Sequence, residues 1–118
     1  MIGIDLGTTH SLAAVWREGR SVLIPNSIGQ VLTPSVVGLD ADGSILVGQA
    51  ARERLQTHPH LTAAAFKRSM GSSKQIRLGD RQFCAEELSA LVLRSLKQDA
   101  ESFLGEAVSE AVVTAVSY

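Results

Sequence analysis

Apolar positions come in short runs over the first half of the chain and as one long helical stripe near its end. Ile2 to Leu6, Ser11 to Trp16 and Ser21 to Ile24 are runs of strand length. The polar turn Arg17-Glu18-Gly19-Arg20 separates the second from the third. Connections this short predict an antiparallel meander. Pro25-Asn26-Ser27-Ile28-Gly29 breaks the pattern. Thr33-Pro34-Ser35 then leads into a strand at Val36 to Leu39, and the turn Asp40-Ala41-Asp42-Gly43 returns it as Ile45 to Val47.

Gln49 to Gln56 is rich in helix formers and is expected to be a helix that stops before His58-Pro59, because a residue preceding proline is pushed out of the helical region. Thr62 to Met70 is expected to form a second short helix closed by Gly71. Residues 72 to 83 suggest a small hairpin. The clearest helix spans Ala85 to Leu104, with Leu88, Leu91, Val92, Leu96, Phe103 and Leu104 on one face and Ala100 filling the stripe. Glu86 and Glu87 suit its N-terminal dipole, Cys84 with Glu87 resembles a capping box, and Gly105 ends it. Ala111 to Val116 is a final apolar strand. A meander that regains a strand after a long helix is an α/β arrangement, and the last strand can pair parallel with the first.

Length and charge narrow the class. The chain has 118 residues, 45% of them hydrophobic, enough for one domain or a piece of a larger one. A net charge of −1 supplies no field that would gather nucleic acid or an anionic membrane surface. No apolar run approaches the roughly 20 residues that cross a bilayer. A lone cysteine, Cys84, and the lack of a basic leader before the first apolar run point to a cytoplasmic protein.

The candidate chemistry lies in "DLGTTHS", Asp5 to Ser11. Glycine after a strand lets the backbone turn sharply and approach a ligand, and successive N–H groups with two hydroxyls can surround an anion. Asp5 would repel a bare phosphate but suits a Mg²⁺ ion held between carboxylate, water and phosphate oxygens. A polar hairpin turn with a partly exposed aspartate is equally compatible with these residues. The turn lacks the lysine of a Walker A loop and leads into a strand. His58 and His60 flank Pro59 in a turn and are expected to be solvated, while Trp16 is expected to pack on the sheet.

"IGIDLGTTHSLAAVW" resembles the first phosphate loop of the actin-like ATPase superfamily, most of all in the 70-kilodalton heat-shock chaperones of the DnaK type. "IPNSIGQVLTPSVVGL" resembles their Asn-x-x-Gly-x-x-x-Thr-Pro-Ser segment. "ILVGQAARERLQTHPHLTAAAFKRSMG" resembles their Val-Gly-x-x-Ala segment running to a Lys-Arg pair, and "EELSALVLRSLKQDAESFLGEAVSEAVVTAV" matches as well. The short connection before the long helix is similar to the bacterial heat-shock-cognate C branch.

The resemblance implies an α/β, ribonuclease H-like fragment: a mixed sheet with an antiparallel meander and a later parallel strand, plus a smaller α+β subdomain. In family terms residues 1–35 and 108–118 belong to subdomain IA, and 36–107 form subdomain IB. It implies ATP or ADP with Mg²⁺ as cofactors. Asp5 would hold the metal through water. Gly7, Thr8, Thr9 and His10 would lie at the β- and γ-phosphates, His10 standing where the family commonly has Asn. Lys67 would be the catalytic lysine, with Arg68 beside it in a structural or interdomain role. Unfolded polypeptides, J-domain proteins and nucleotide-exchange factors are the implied partners of the whole protein. The family's second phosphate loop and peptide-binding domain have no counterpart here, and Val116-Ser117-Tyr118 departs from its Val-Pro-Ala-Tyr-Phe. The expectation is a truncated piece, inactive alone, that self-associates through a bare sheet face or edge. A sugar kinase of the same superfamily, an actin-like filament protein and a stand-alone interaction module are the alternatives.

Overall fold

The computed structural model describes residues 1–115. The end of the expected last strand, Val116, and Ser117-Tyr118 lie outside the described residues.

Strands β1 (Ile2–Leu6), β2 (His10–Arg17) and β3 (Arg20–Ile24) form the expected meander, with β1 and β2 in the register Ile4↔Ala13 and Asp5↔Leu12. Alternation sorts their side chains. Ile2, Ile4, Leu6, Ala13, Val15 and Ile24 point into the core, while Gly3, Asp5, Leu12, Ala14 and Trp16 occupy the opposite face. Where β3 stops, the two-residue β4 (Thr33–Pro34) takes over the same edge of β2, pairing His10 with Pro34 and Ser11 with Thr33.

A three-stranded antiparallel sheet follows. Its central strand β5 (Val36–Leu39) is buried throughout, with β6 (Ile45–Val47) and β7 (Thr62–Ala64) on either side. The turn into β6 closes as read, with the Gly43 N–H donating to the Asp40 carbonyl at 3.0 Å. Helix α1 is shorter than expected, Gln49–Arg52. Beyond it the chain tightens into i→i+3 bonds, the Arg54 N–H reaching the Ala51 carbonyl and the Leu55 N–H the Arg52 carbonyl.

The expected helix over Thr62 to Met70 does not form. Its first three residues extend as β7, which pairs with β5 in the register Val36↔Ala64 to Gly38↔Thr62. Ala65 then takes a left-handed conformation (φ 56°, ψ 22°), and Phe66–Ser69 coils into one 3-10 turn with Phe66 buried. Helix propensity yields here to the open edge of a buried strand, whose backbone groups need partners.

The hairpin β8 (Gln75–Leu78) and β9 (Arg81–Cys84) leads into helix α2 (Ala85–Leu104). The capping box is present: the Cys84 N–H donates to the Glu87 carboxylate at 2.9 Å, and Gly105 closes the far end at φ 71°. Leu88, Val92, Leu96 and Ala100 form the buried stripe, one residue per turn. Phe103 departs from the expected stripe. It is exposed and stacks under the guanidinium of Arg17, 5.3 Å from ring centre. Strand β10 (Ala111–Ala115) pairs parallel to β1, Ile2↔Ala111 through Leu6↔Ala115. One apolar cluster runs from β1 and β2 through α2 to Val37, Leu39, Leu78 and Phe83. No helix among the described residues is long and apolar enough to cross a membrane.

Candidate functional site

The loop between β1 and β2 is held by a closed ring of hydrogen bonds. The Gly7 N–H donates to Ser11 Oγ at 3.2 Å, and Ser35 Oγ donates to the Gly7 carbonyl at 2.8 Å. The two hydroxyls lie 2.8 Å apart. Since the Ser35 proton goes to Gly7, Ser11 donates to Ser35, and each of the two hydroxyls both gives and receives one bond. Both serines are buried. One further bond, Ser35 N–H to the Thr9 carbonyl at 2.9 Å, ties down the next part of the loop. A Cβ on Gly7 would collide with the backbone carbonyl oxygen of His10, so only glycine fits this turn.

Asp5 is on the outward face of β1, half-buried, with Leu12 and Thr114 as its cross-strand neighbours. This answers why a carboxylate interrupts an apolar strand: it occupies the alternate face, away from the core. Among the described residues no group of three or more His, Cys, Asp or Glu side chains is placed to hold a metal. A carboxylate oxygen on a strand face, as at Asp5, is the type of ligand a hard cation such as Mg²⁺ takes.

Beside the loop lies a cleft of about 220 Å³ lined by Thr8, Thr9, Pro34, Ser35, Val36, Arg52, Leu55, Ala64, Ala65 and Arg68. The left-handed Ala65 brings the Lys67-Arg68 segment to this wall. Arg68 borders the cleft, whereas Lys67, half-buried in the adjoining 3-10 turn, does not. His10 sits at the loop's exit, its Nε2 3.4 Å from Arg52 Nη1. Arginine has only donors, so in this contact Nε2 is the accepting atom. The structure thus brings Thr8, Thr9 and Arg68 to one cleft, whose lining includes neither Lys67 nor Asp5, the latter lying on the neighbouring sheet face. His58 bonds to the Thr57 hydroxyl at 2.8 Å, and Trp16 is 69% exposed on the open face instead of packed under cover.

Two groups escaped the sequence reading. Ser11 and Ser35 carried no assigned role, although the hydroxyl in "TPS" stands immediately after the short strand that pairs with the loop. Arg52 was indistinguishable from other helix-surface cations until α1 placed it over the cleft.

A mixed sheet of an antiparallel meander with one parallel pairing, its first hairpin turning on a hydroxyl-bearing glycine loop, is consistent with an N-terminal piece of the actin-like α/β ATPase fold. The family model described as Hsp70 protein matches residues 1–76 and 72–118. The chain belongs to the Hsp70 family, which supports a chaperone ATPase domain that uses ATP or ADP with Mg²⁺.

Proposed function

We propose that this chain is the part of an Hsp70 ATPase domain that carries its first phosphate loop and its catalytic lysine, within the heat-shock-cognate C branch. Residues 1–35 and 108–118 serve as part of subdomain IA and 36–107 as subdomain IB. Asp5 would hold Mg²⁺ through water, the backbone of Gly7 to His10 with the Thr8 and Thr9 hydroxyls would contact the β- and γ-phosphates, and Lys67 would stabilise charge on the γ-phosphoryl group and orient the attacking water. When bound, Mg²⁺ would supply neutralisation of phosphate charge. The whole protein acts in the cytoplasm, coupling slow hydrolysis to binding and release of unfolded peptides with J-domain and nucleotide-exchange partners.

The observation that carries this reading is the Gly7 turn, braced on both its N–H and its carbonyl and closed to any side chain. Such a fixed, glycine-only turn next to two threonines is what close approach of a phosphate requires. In the full-length protein, Lys67→Ala is expected to lower ATP turnover by about 10²-fold or more while sparing ATP affinity. Unchanged turnover would sink the assignment. The 118-residue chain by itself is expected to bind ATP weakly, since one phosphate loop cannot enclose a nucleotide; micromolar affinity by calorimetry would refute that part.

A further inference from the structure

The last turns of α2 and the segment after β3 enclose a second pocket, of about 230 Å³, lined by Pro25, Asn26, Ser27, Asp99, Ser102 and Phe103. It shares no residue with the cleft beside the Thr8-Thr9 turn. Its one charged group is the half-buried Asp99, and no basic side chain borders it. Burial alone pushes the Asp99 carboxyl up, the mark of a carboxylate with no cation to hold its charge. The Asn26 amide is engaged elsewhere. Its oxygen accepts the Ile28 and Gln30 N–H groups at 3.1 and 3.0 Å, and its nitrogen donates to Thr33 Oγ1 at 3.1 Å and to the Leu32 carbonyl at 3.5 Å. Those bonds also fix this wall in place. The carbonyl end of α2 adds a partial negative charge, and its last turn holds no basic residue to answer it. Phe103 supplies a ring that already takes a guanidinium, that of Arg17 at 5.3 Å, although Arg17 itself does not border the pocket.

We propose that this pocket is a docking site for an arginine side chain of a partner polypeptide. Asp99 receives the guanidinium through paired hydrogen bonds, the Phe103 ring stacks against its plane, and Ser27 and Ser102 offer hydroxyl oxygens to the remaining N–H groups. An ammonium has neither the flat face nor the fork, so lysine fits less well. At about 230 Å³ the pocket is smaller than the roughly 300–1,000 Å³ that enclose drug-sized ligands, which suits one side chain. Arg17 on the same ring opposes a second cation and keeps a lone arginine weakly held, so the side chain acts as one anchor of a larger contact. No part of this rests on nucleotide binding.

A blocked glycine-arginine-glycine peptide is titrated into the 118-residue chain while amide and carboxyl resonances are followed, with citrulline or lysine in place of the arginine as controls. Saturable shifts at Ser27, Asp99 and Ser102 are expected. The Asp99 carboxyl is expected to move back toward its ordinary 3.8, because a bound cation favours the charged form. Asp99→Asn weakens binding about tenfold, and Phe103→Ala about threefold. Asp99→Asn keeps the size and shape of the side chain, and unchanged amide shifts elsewhere verify the fold. Absence of saturable shifts, equal binding of the uncharged citrulline peptide, or binding that survives Asp99→Asn overturns the site. A lysine peptide that binds as tightly overturns the assignment to arginine. The Lys67→Ala measurement bears on the catalytic reading alone, so the two fail independently.

Discussion

The hydroxyls of Ser11 and Ser35 meet 2.8 Å apart in the core, joining residues 24 positions apart, and between them they satisfy both backbone groups of Gly7. Ser35 borders the cleft, but its hydroxyl proton goes to the Gly7 carbonyl, so the effect of the pair is to hold the loop. Ser35→Ala leaves the Gly7 carbonyl and one Ser11 bond without partners in a dry environment. The expected cost is about 1–3 kcal/mol, read as a lower urea midpoint at unchanged slope. Because the ring is shared, Ser11→Ala with Ser35→Ala is expected to cost less than the sum of the singles. Strict additivity would mean the ring is not one unit.

Gly7→Ala tests the loop from the other side. Its φ is not in the left-handed region, so the objection is steric: the new methyl meets the His10 carbonyl, which is backbone and cannot swing away. The hairpin must open, at a cost of about 1–3 kcal/mol by analogy with overpacked sites. By contrast Gly3→Ala, where an added Cβ has nothing within 4 Å, is expected to be near neutral. Equal stability of the two variants would contradict the close approach at Gly7.

Much of this was legible in the chain, and the failures have causes. The strands β1 to β3, the β5–β6 pair and α2 were readable because their local pattern agrees with their surroundings, and α2 follows its caps, Cys84 with Glu87 and Gly105, to the residue. The helical pattern of Thr62 to Met70 gives way because three of its residues are recruited by β5, in the pairs Val36↔Ala64, Val37↔Ala63 and Gly38↔Thr62, a demand no local window contains. Phe103 satisfied a helical period but lies at the last turn of α2, where it meets Arg17. At the site, Asp5 and the Gly7 turn could be singled out from residue type. The serine ring and the Arg52–His10 contact could not, since both depend on segments that only the fold brings together.

Two carboxylates of α2 are shifted in opposite directions. The backbone N–H of Cys84, then its side chain, hold Glu87 below its usual 4.5. A depressed acid contributes stability above its unfolded value and loses it as pH falls through the folded one, so this part fades from just below pH 4.5 downward. Burial instead raises Asp99 above 3.8. A raised acid is relatively favourable when protonated and becomes a cost as pH climbs through its unfolded and then its folded value. Thermal melts across pH are expected to show Glu87→Gln losing stability at neutral pH and converging on the parent in acid. Asp99→Asn is expected to gain stability at neutral pH, the gain vanishing in acid. A loss on Asp99→Asn at neutral pH would show that its carboxylate has a compensating partner.

Strand β10 is an edge among the described strands, paired only with β1, and its Val112 and Val113 are 56% and 47% exposed. From Ala111 to Ala115 it holds no charge and no proline, the features that protect an open edge. A groove of about 350 Å³ runs beside it, floored by Ile2 and Ile4 and walled by Ala90 and Leu93 of α2. A second copy meets all of this at once, since two identical edges can pair antiparallel about a two-fold axis and satisfy each other's free backbone groups. Light scattering of the 118-residue chain is expected to give a mass above that of the monomer, rising with concentration. Val112→Lys places a charge on the outward side of that edge without touching the core, and is expected to weaken the association about tenfold, or ~1.4 kcal/mol. A concentration-independent monomer for the parent sequence would refute the pairing. An unchanged association in Val112→Lys would move the contact from the β10 edge to the open sheet face around Trp16 and Leu23.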